Sequence, residues 1–528
     1  MPHAQEVESD KDGAGLRDPD EELREERRAL ERKAGRGAAP HREQRRKRPG
    51  ARPGKEADPM SESRPHPSLL AALKRAHARY QERRPRSYAA WSRARQVLPG
   101  GNTRSVVYHA PFPLVMAEGA GPVERDVDGH EYLDFLNNFT SLIHGHAHPA
   151  IVEAATARIA RGTAFSAYLP EQGALAEALV ERVPGVERVR FCNSGTEATL
   201  LAVQTARAYS GRSDIVKMEG GYHGGHDVAE VSVHPDVATA GPARRPRAVP
   251  ESAAVDRRAL AGVHVAPFND AAALDEILHA VRDTTAAILM EPVLGQAGYI
   301  PPEPGYLAAV RELAHRHDVL LIFDEVQTLR VSVGGAQELY GVVPDLTAMA
   351  KIIGGGFPVG AFGGRADIMG LYDPDAGGAL FHTGTFNGNP VTMAAGRVAL
   401  DLLSRDALAR LDRLAARLAQ GIVEALKAAG LPGGVTRSGS LMGLHFRDAP
   451  VRNFRDAVDA PPELGWLLYF ALLEEGIHTA PGRGAFNLST VMDEGIVDEA
   501  LVRIRRAMMA VGESFHATSA RDAGSVPG

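Results

Sequence analysis

Apolar residues recur at helical spacing in "PSLLAALKRAHARYQER", where Leu69, Leu70, Leu73, Ala76 and Tyr80 share one face. Ser68 stands at the start of this run as a candidate N-cap. The period shortens to two in "RDVDGHEYLDF", residues 125–135, and Asp128-Gly129 between the alternating positions predicts a β-hairpin. From about residue 150 to about 390 short unbroken apolar runs take over. "AAILMEPV", "VLLIFDEV" and "GAFGG" have the length and continuity of buried strands, and the amphipathic "PGYLAAVRELAHRH" separates the first two as a helix. This alternation predicts an α/β domain with a mostly parallel sheet. After Asn389 helices dominate. "ALARLDRLAARLAQGIVEALKAAG" places Leu408, Leu411, Leu418, Ile422 and Leu426 on one side, and "ELGWLLYFALLEEG" reads as a further helix stopped at Gly476. These elements predict a smaller α+β domain, and no internal repeat interrupts the order.

Residues 1–66 fit none of these patterns. "EELREERRALERK" and "HREQRRKRPGARPGKE" are dense in charge and poor in apolar residues, a composition that cannot bury enough surface to offset chain entropy. A disordered extension is therefore expected over 1–66. The segment lacks the apolar centre of a secretory signal and is too acidic for a mitochondrial transit peptide. Met60 near its end offers an alternative start. The remaining chain divides into a first small-domain segment 67–135, a large domain 136–391, a C-terminal small domain 392–515 and a flexible tail 516–528.

Bulk composition narrows the function classes. With 528 residues, 44% hydrophobic and 24% charged, the chain has the makeup of a soluble globular protein. A net charge of -6 offers no global basic excess for nucleic acid. The single cysteine, Cys192, precludes an intramolecular disulfide and points to a reducing, cytoplasmic location. No apolar stretch reaches the length of a membrane span.

The chemistry gathers around one lysine. In "LTAMAKIIGGGFP", residues 346–358, Lys351 sits in an apolar run just before three glycines. Such a lysine either snorkels to the surface or is desolvated so that its neutral amine becomes a nucleophile. Asp324 follows the strand-like "VLLIF", where ligands of parallel sheets collect. It can cap a helix, or pair with a protonated heterocyclic nitrogen. "SGTEA", residues 194–198, lies at a strand-to-helix junction and can cap the helix or hold a phosphate. In "GGYHGGHD" Tyr222 and His223 stand among glycines, which lets an aromatic ring stack on a planar ligand.

Taken together, "SGTEA", "GGYHG", "MEPV", "FDEVQT", "AKIIGGGFPVGAFGG" and "GTFNGNP" resemble the class III aminotransferases that use pyridoxal 5'-phosphate, in order from about residue 96 to 515. The resemblance implies the type I fold of these enzymes. In that fold a large domain with a mostly parallel sheet is joined by a smaller α+β domain built from the N- and C-terminal segments. It implies that Lys351 forms the covalent imine with the cofactor and shuttles the proton, and that Asp324 pairs with the pyridine nitrogen. Val326 and Tyr222 would cover the two ring faces, with His223 nearby. Ser194, Gly195 and Thr196 would hold the phosphate. Glu291 and Gln327 would lie near the ring hydroxyl and the substrate side. Thr385 would reach the phosphate of a neighbouring subunit, making a homodimer with shared sites.

Within that family "LPGGNTRSVVYHAPFPL", residues 98–114, resembles the β-amino-acid transaminases that accept β-phenylalanine. Arg104 would then bind the substrate carboxylate, and Arg483 in "TAPGRGAFNLS" the carboxylate of a 2-oxo acid such as 2-oxoglutarate or pyruvate. The loop around Arg483 carries one more residue than that subgroup leads one to expect, and "VERDVDG" also departs from its pattern. The aminomutases acting on glutamate-1-semialdehyde are the competing branch, although this chain reads "NNFTS" at 137–141 where they have an aromatic-rich segment. A different class, a metal hydrolase, would draw on His144, His146, His148, His223 and His226, but "HGHAHP" matches no recognised ligand spacing and no metal is expected.

Overall fold

The computed structural model describes residues 67–522. The charged segment 1–66 expected to be disordered lies outside the described residues, as do 523–528 of the expected tail. The first helix spans Pro67–Arg83 and buries Leu69 and Tyr80. It begins at proline, whose missing N–H costs nothing in a first turn. Ser68 therefore sits inside that turn and does not precede the helix as a cap.

The expected hairpin forms between strands Val123–Asp126 and Glu131–Asp134. Asp126 Oδ1 accepts the N–H groups of Asp128 (3.0 Å) and His130 (2.9 Å), which closes the turn around the left-handed Gly129. The strand Ile477–His478 adds in parallel to Glu131–Asp134, and the helix Pro462–Glu474 packs on Pro67–Arg83. N- and C-terminal segments thus build one layer together. Leu408, Leu411, Leu418, Ile422 and Leu426 of the helix Arg405–Ala428 are all buried. Gly476 ends the preceding helical stretch with φ 71°, a conformation glycine adopts without strain. The last helix, Glu494–Asp522, runs on into the stretch expected as a flexible tail.

A seven-stranded sheet forms the scaffold, in the order Arg188–Cys192, Gly360–Gly364, Leu346–Ala350, Leu320–Asp324, Thr285–Met290, Asp214–Met218, Val263–Ala266. Only Gly360–Gly364 runs against its neighbours. Every residue of "TAAILM" in Thr285–Met290 is buried. Each Leu or Ile so buried contributes about 1.5–3 kcal/mol relative to exposure, so the sheet is a rigid platform for what stands at its edge. Gly360 meets a specific demand, because a Cβ there would lie 2.0 Å from the carbonyl oxygen of Ser194. That close approach sets the antiparallel strand against the start of the helix Gly195–Ser210.

Candidate active site

Five strands that point the same way deliver their next residues to one edge of the sheet: Asn193 and Ser194 after Cys192, Glu219 to Tyr222 after Met218, Glu291 after Met290, Asp324 as the last residue of its strand, and Lys351 after Ala350. A cavity of about 370 Å³ opens there, and Lys351, Asp324, Glu291, Tyr222 and His223 all line it.

Asp324 is buried, its Oδ2 2.8 Å from His223 Nδ1 and its Oδ1 accepting the Val326 N–H at 3.0 Å. Burial holds His223 below the ordinary histidine range, although Asp324 pulls the other way. Glu291 accepts the N–H groups of Tyr222 (3.0 Å) and Gly295 (3.1 Å), and Gln327 Nε2 approaches its Oε2 at 3.4 Å. Burial, with Asp324 adding repulsion, pushes the Glu291 carboxyl up to about 8. The backbone of Lys351 has φ 55°, and Nζ donates to Thr140 Oγ1 at 3.3 Å. Burial lowers its ammonium to about 8, against the attraction of Asp324 and Glu291. A neutral amine is therefore accessible near physiological pH.

Gly195 and Thr196 line the cavity at the start of a 16-residue helix. First-turn N–H groups lack helical partners and carry the positive end of the helix dipole. Ser194 is not among the lining residues; its hydroxyl accepts the Glu197 N–H at 3.1 Å and caps the helix. Thr196 Oγ1 accepts from Gly225 N–H at 3.2 Å. Val326 and Tyr222 both line the cavity, Val326 packing close to Gly195. These features fit a phosphorylated pyridine aldehyde: a helix start for a phosphate, a buried carboxylate for a ring nitrogen, an aliphatic and an aromatic side chain for the ring, and an amine for the carbonyl.

Other expected residues stand apart. Arg104 is at the rim, where Nη1 donates to Asn138 Oδ1 at 2.8 Å and the guanidinium lies 5.0 Å from the centre of the Phe139 ring. Arg483 does not line the cavity. Left-handed glycines at 482 and 484 flank it, and its Nη2 points to His234 Nε2 at 3.2 Å beside a separate cavity of about 140 Å³. Thr385 is exposed and outside the cavity; its neighbours His382, Thr383 and Gly384 line another hollow with Tyr168 and Arg190.

The histidines do not form a metal cluster. His144 binds Ala399 O and Thr490 Oγ1, each at 2.8 Å, His146 binds Asp134 at 2.8 Å, and His148 precedes the helix Pro149–Ile159. His226 Nε2 lies 3.3 Å from Thr199 Oγ1, far from that loop in sequence and role. "HGHAHP" is a turn and helix start rather than a strand; the His144 and His148 rings meet edge to face at 5.7 Å, while His146 turns to Asp134. Among the described residues the one acidic-histidine group close enough to share a cation is Glu124, Asp134 and His146, which takes in a single member of the set.

Sequence reasoning missed four contributors. Asn138 and Ser141 line the cavity, and Thr140 receives Lys351. "NNFTS" had marked the place only as a departure from a relative's pattern. Lys217 was also missed: fully buried, it donates to the carbonyl oxygens of Gly221 (2.9 Å), Ala229 (3.1 Å) and Val231, tying down the segment that carries Tyr222 and His223. A lone lysine inside the apolar "DIVKM" was its signal.

Comparison with known proteins agrees with this geometry. The class III aminotransferase model matches residues 105–486. The glutamate-1-semialdehyde 2,1-aminomutase of Methanothermobacter thermautotrophicus is 41% identical over 399 residues, 75% of this chain and 92% of that protein. The crystal structure of an omega-transaminase from Sphaerobacter thermophilus superposes with a TM-score of 0.78 at 43% identity, covering 81% of this chain and 98% of its own. A β-phenylalanine aminotransferase from Variovorax paradoxus does so with a TM-score of 0.76 at 35% identity, covering 86% and 98%. No helix among the described residues is long and apolar enough to cross a membrane. The chain belongs to the class III aminotransferases, a family dependent on pyridoxal 5'-phosphate.

Proposed function

We propose that the protein transfers the amino group of a β-amino acid bearing an apolar or aromatic group to a 2-oxo acid such as 2-oxoglutarate or pyruvate. The observation that carries this reading is Arg104 at the rim of the Lys351 cavity, over the Phe139 ring and bonded to Asn138, which itself lines that cavity. A guanidinium there can grip a carboxylate bidentately while the aromatic ring beside it favours an apolar substituent.

Pyridoxal 5'-phosphate, when bound, supplies an electrophilic carbonyl and a ring that takes up an electron pair. The chain's own residues do the rest. Lys351 is the attachment point and holds or releases a proton at Nζ. Asp324, steadied by His223, would pair with the ring nitrogen. Tyr222 and Val326 would flank the ring, and Glu291 with Gln327 would stand toward the ring hydroxyl. Gly195 and Thr196, with Ser194 capping behind them, receive the phosphate.

A homodimer belongs to the same reading. Phe381 is 89% exposed, Phe386 58% and Tyr168 71%, and a subunit interface over these residues would remove that apolar exposure from water. Thr385, exposed and between Phe381 and Phe386 in sequence, would serve the partner's phosphate. Sedimentation of Phe381→Glu should show loss of the dimer; a dimer as tight as that of the parent rejects this surface.

The aminomutase reading is favoured by the 41% identical relative of that name. A donor panel of α-, β- and ω-amines with 2-oxoglutarate and pyruvate separates the two. Net glutamate or alanine from β-amino acids supports transamination, whereas nitrogen retained on a rearranged substrate supports the mutase. Equal turnover of amines that lack a carboxylate would remove the role given to Arg104.

A further inference from the structure

Four consecutive non-glycine residues, Asn137, Asn138, Phe139 and Thr140, have φ of 50°, 45°, 53° and 76°. L-residues adopt the left-handed region singly, and a β-branched threonine there is unusual. Such a run persists only where its surroundings hold it, and runs of this kind cluster at functional sites. Here the anchors are explicit. Asp134 Oδ1 accepts the N–H groups of Leu136 (2.8 Å) and Asn137 (2.7 Å), Asn137 Nδ2 donates to Asn487 O at 2.5 Å, and Arg330 Nη1 donates to Thr140 O at 3.2 Å.

The side chains so presented serve two different groups. Asn138 Oδ1 takes the guanidinium of Arg104 at 2.8 Å, and the Phe139 ring lies beneath it. Thr140 Oγ1 takes Lys351 Nζ at 3.3 Å. A single tight turn thus holds a hydrogen-bond partner for each of the two groups, two positions apart.

We propose that the left-handed turn Asn137–Thr140 is the spacer that sets the position of the Arg104 guanidinium relative to Lys351 Nζ, with Asn138 and Thr140 as positioning residues. Substrate choice then depends on whether the carboxylate and the amine of one molecule match that span. The inference rests on the reading of Arg104 as the carboxylate site. It adds that the turn, and not the arginine alone, selects the substrate.

Asn138→Gly is the informative variant, since glycine takes positive φ without strain and deletes the acceptor for Arg104. The Tm of the cofactor-free protein should hold or rise. KM for the best carboxylate-bearing donor should rise roughly ten- to a hundredfold, with kcat falling less. A lower Tm or an unchanged KM overturns the proposal. Thr140→Val removes the acceptor for Lys351, so the pH midpoint for cofactor uptake by the cofactor-free protein should move down, and Thr140→Ser should restore it. A midpoint identical to that of the parent overturns Thr140 as a positioning residue. Arg104→Gln keeps the two levels apart. If it leaves KM for carboxylate donors unchanged, the Arg104 reading fails and the spacer with it. If it raises KM while Asn138→Gly does not, the reading stands and the spacer falls.

Discussion

His223 donates its Nδ1–H to Asp324 Oδ2 over 2.8 Å, with both side chains buried in the cavity wall. Because burial holds the imidazole neutral, it orients the carboxylate without supplying a compensating charge. The pair therefore presents net negative charge to whatever cation sits in front of it. Asp324→Asn removes that charge and should lower turnover at least ~100-fold, with weaker cofactor binding in a fluorescence titration. His223→Ala should cost less, about tenfold, because Val326 N–H still holds the other oxygen. Equal losses from the two variants would contradict this division of labour.

Lys351 gives a pH prediction whose sign follows from its lowered pKa. In the cofactor-free protein the folded state releases the proton near pH 8, while the unfolded chain keeps it to about 10.5. Between these values the unfolded state binds more protons, so stability rises with pH. Lys351→Met should lack this rise, and its stability advantage over the parent should be largest below pH 8 and shrink toward pH 10.5. Urea melts at a series of pH values test this. In the loaded protein the same position should be the one that borohydride fixes to the cofactor, and Lys351→Ala should abolish that fixation.

Gly360 is a packing prediction. The added methyl of Gly360→Ala would meet Ser194 O at 2.0 Å and Cys192 Sγ at 2.7 Å, neither of which can yield without moving the sheet or the helix start. A cost of about 1–3 kcal/mol or more is expected, read as a drop in Tm. Cofactor affinity should fall with it, since the displaced helix start carries Gly195 and Thr196. Unchanged Tm and affinity would show that the contact relaxes.

Lys217 predicts a local effect. Lys217→Met leaves the carbonyls of Gly221, Ala229 and Val231 without their donor. Each buried carbonyl left unpaired costs about 1–3 kcal/mol, offset in part by removal of a buried charge. Hydrogen exchange should accelerate in residues 219–231 before it does so in the strand Asp214–Met218. Uniform acceleration across the sheet would mean that the lysine supports the fold as a whole.

Much of this protein was legible in its sequence, because short-range pattern and motif order carry the relevant physics. Unbroken apolar runs can only be buried strands or core helices, and a carboxylate or an amine at the end of such a run must stand at the sheet edge. Asp324 and Lys351 are found there, at the ends of adjacent parallel strands. The Asp128-Gly129 turn and the face of Leu408 to Leu426 were read correctly for the same local reason. What the tertiary structure alone decided depends on contacts distant in the chain and on backbone angles that no composition reveals. Arg483, flanked by left-handed glycines, turns toward His234, His144 and His146 of "HGHAHP" take separate partners in Ala399 and Asp134, and "NNFTS" becomes a left-handed turn held by Asp134, Arg330 and Asn487. Local sequence sets which chemistry is present; the order of the strands and the anchors of that strained turn set which groups meet.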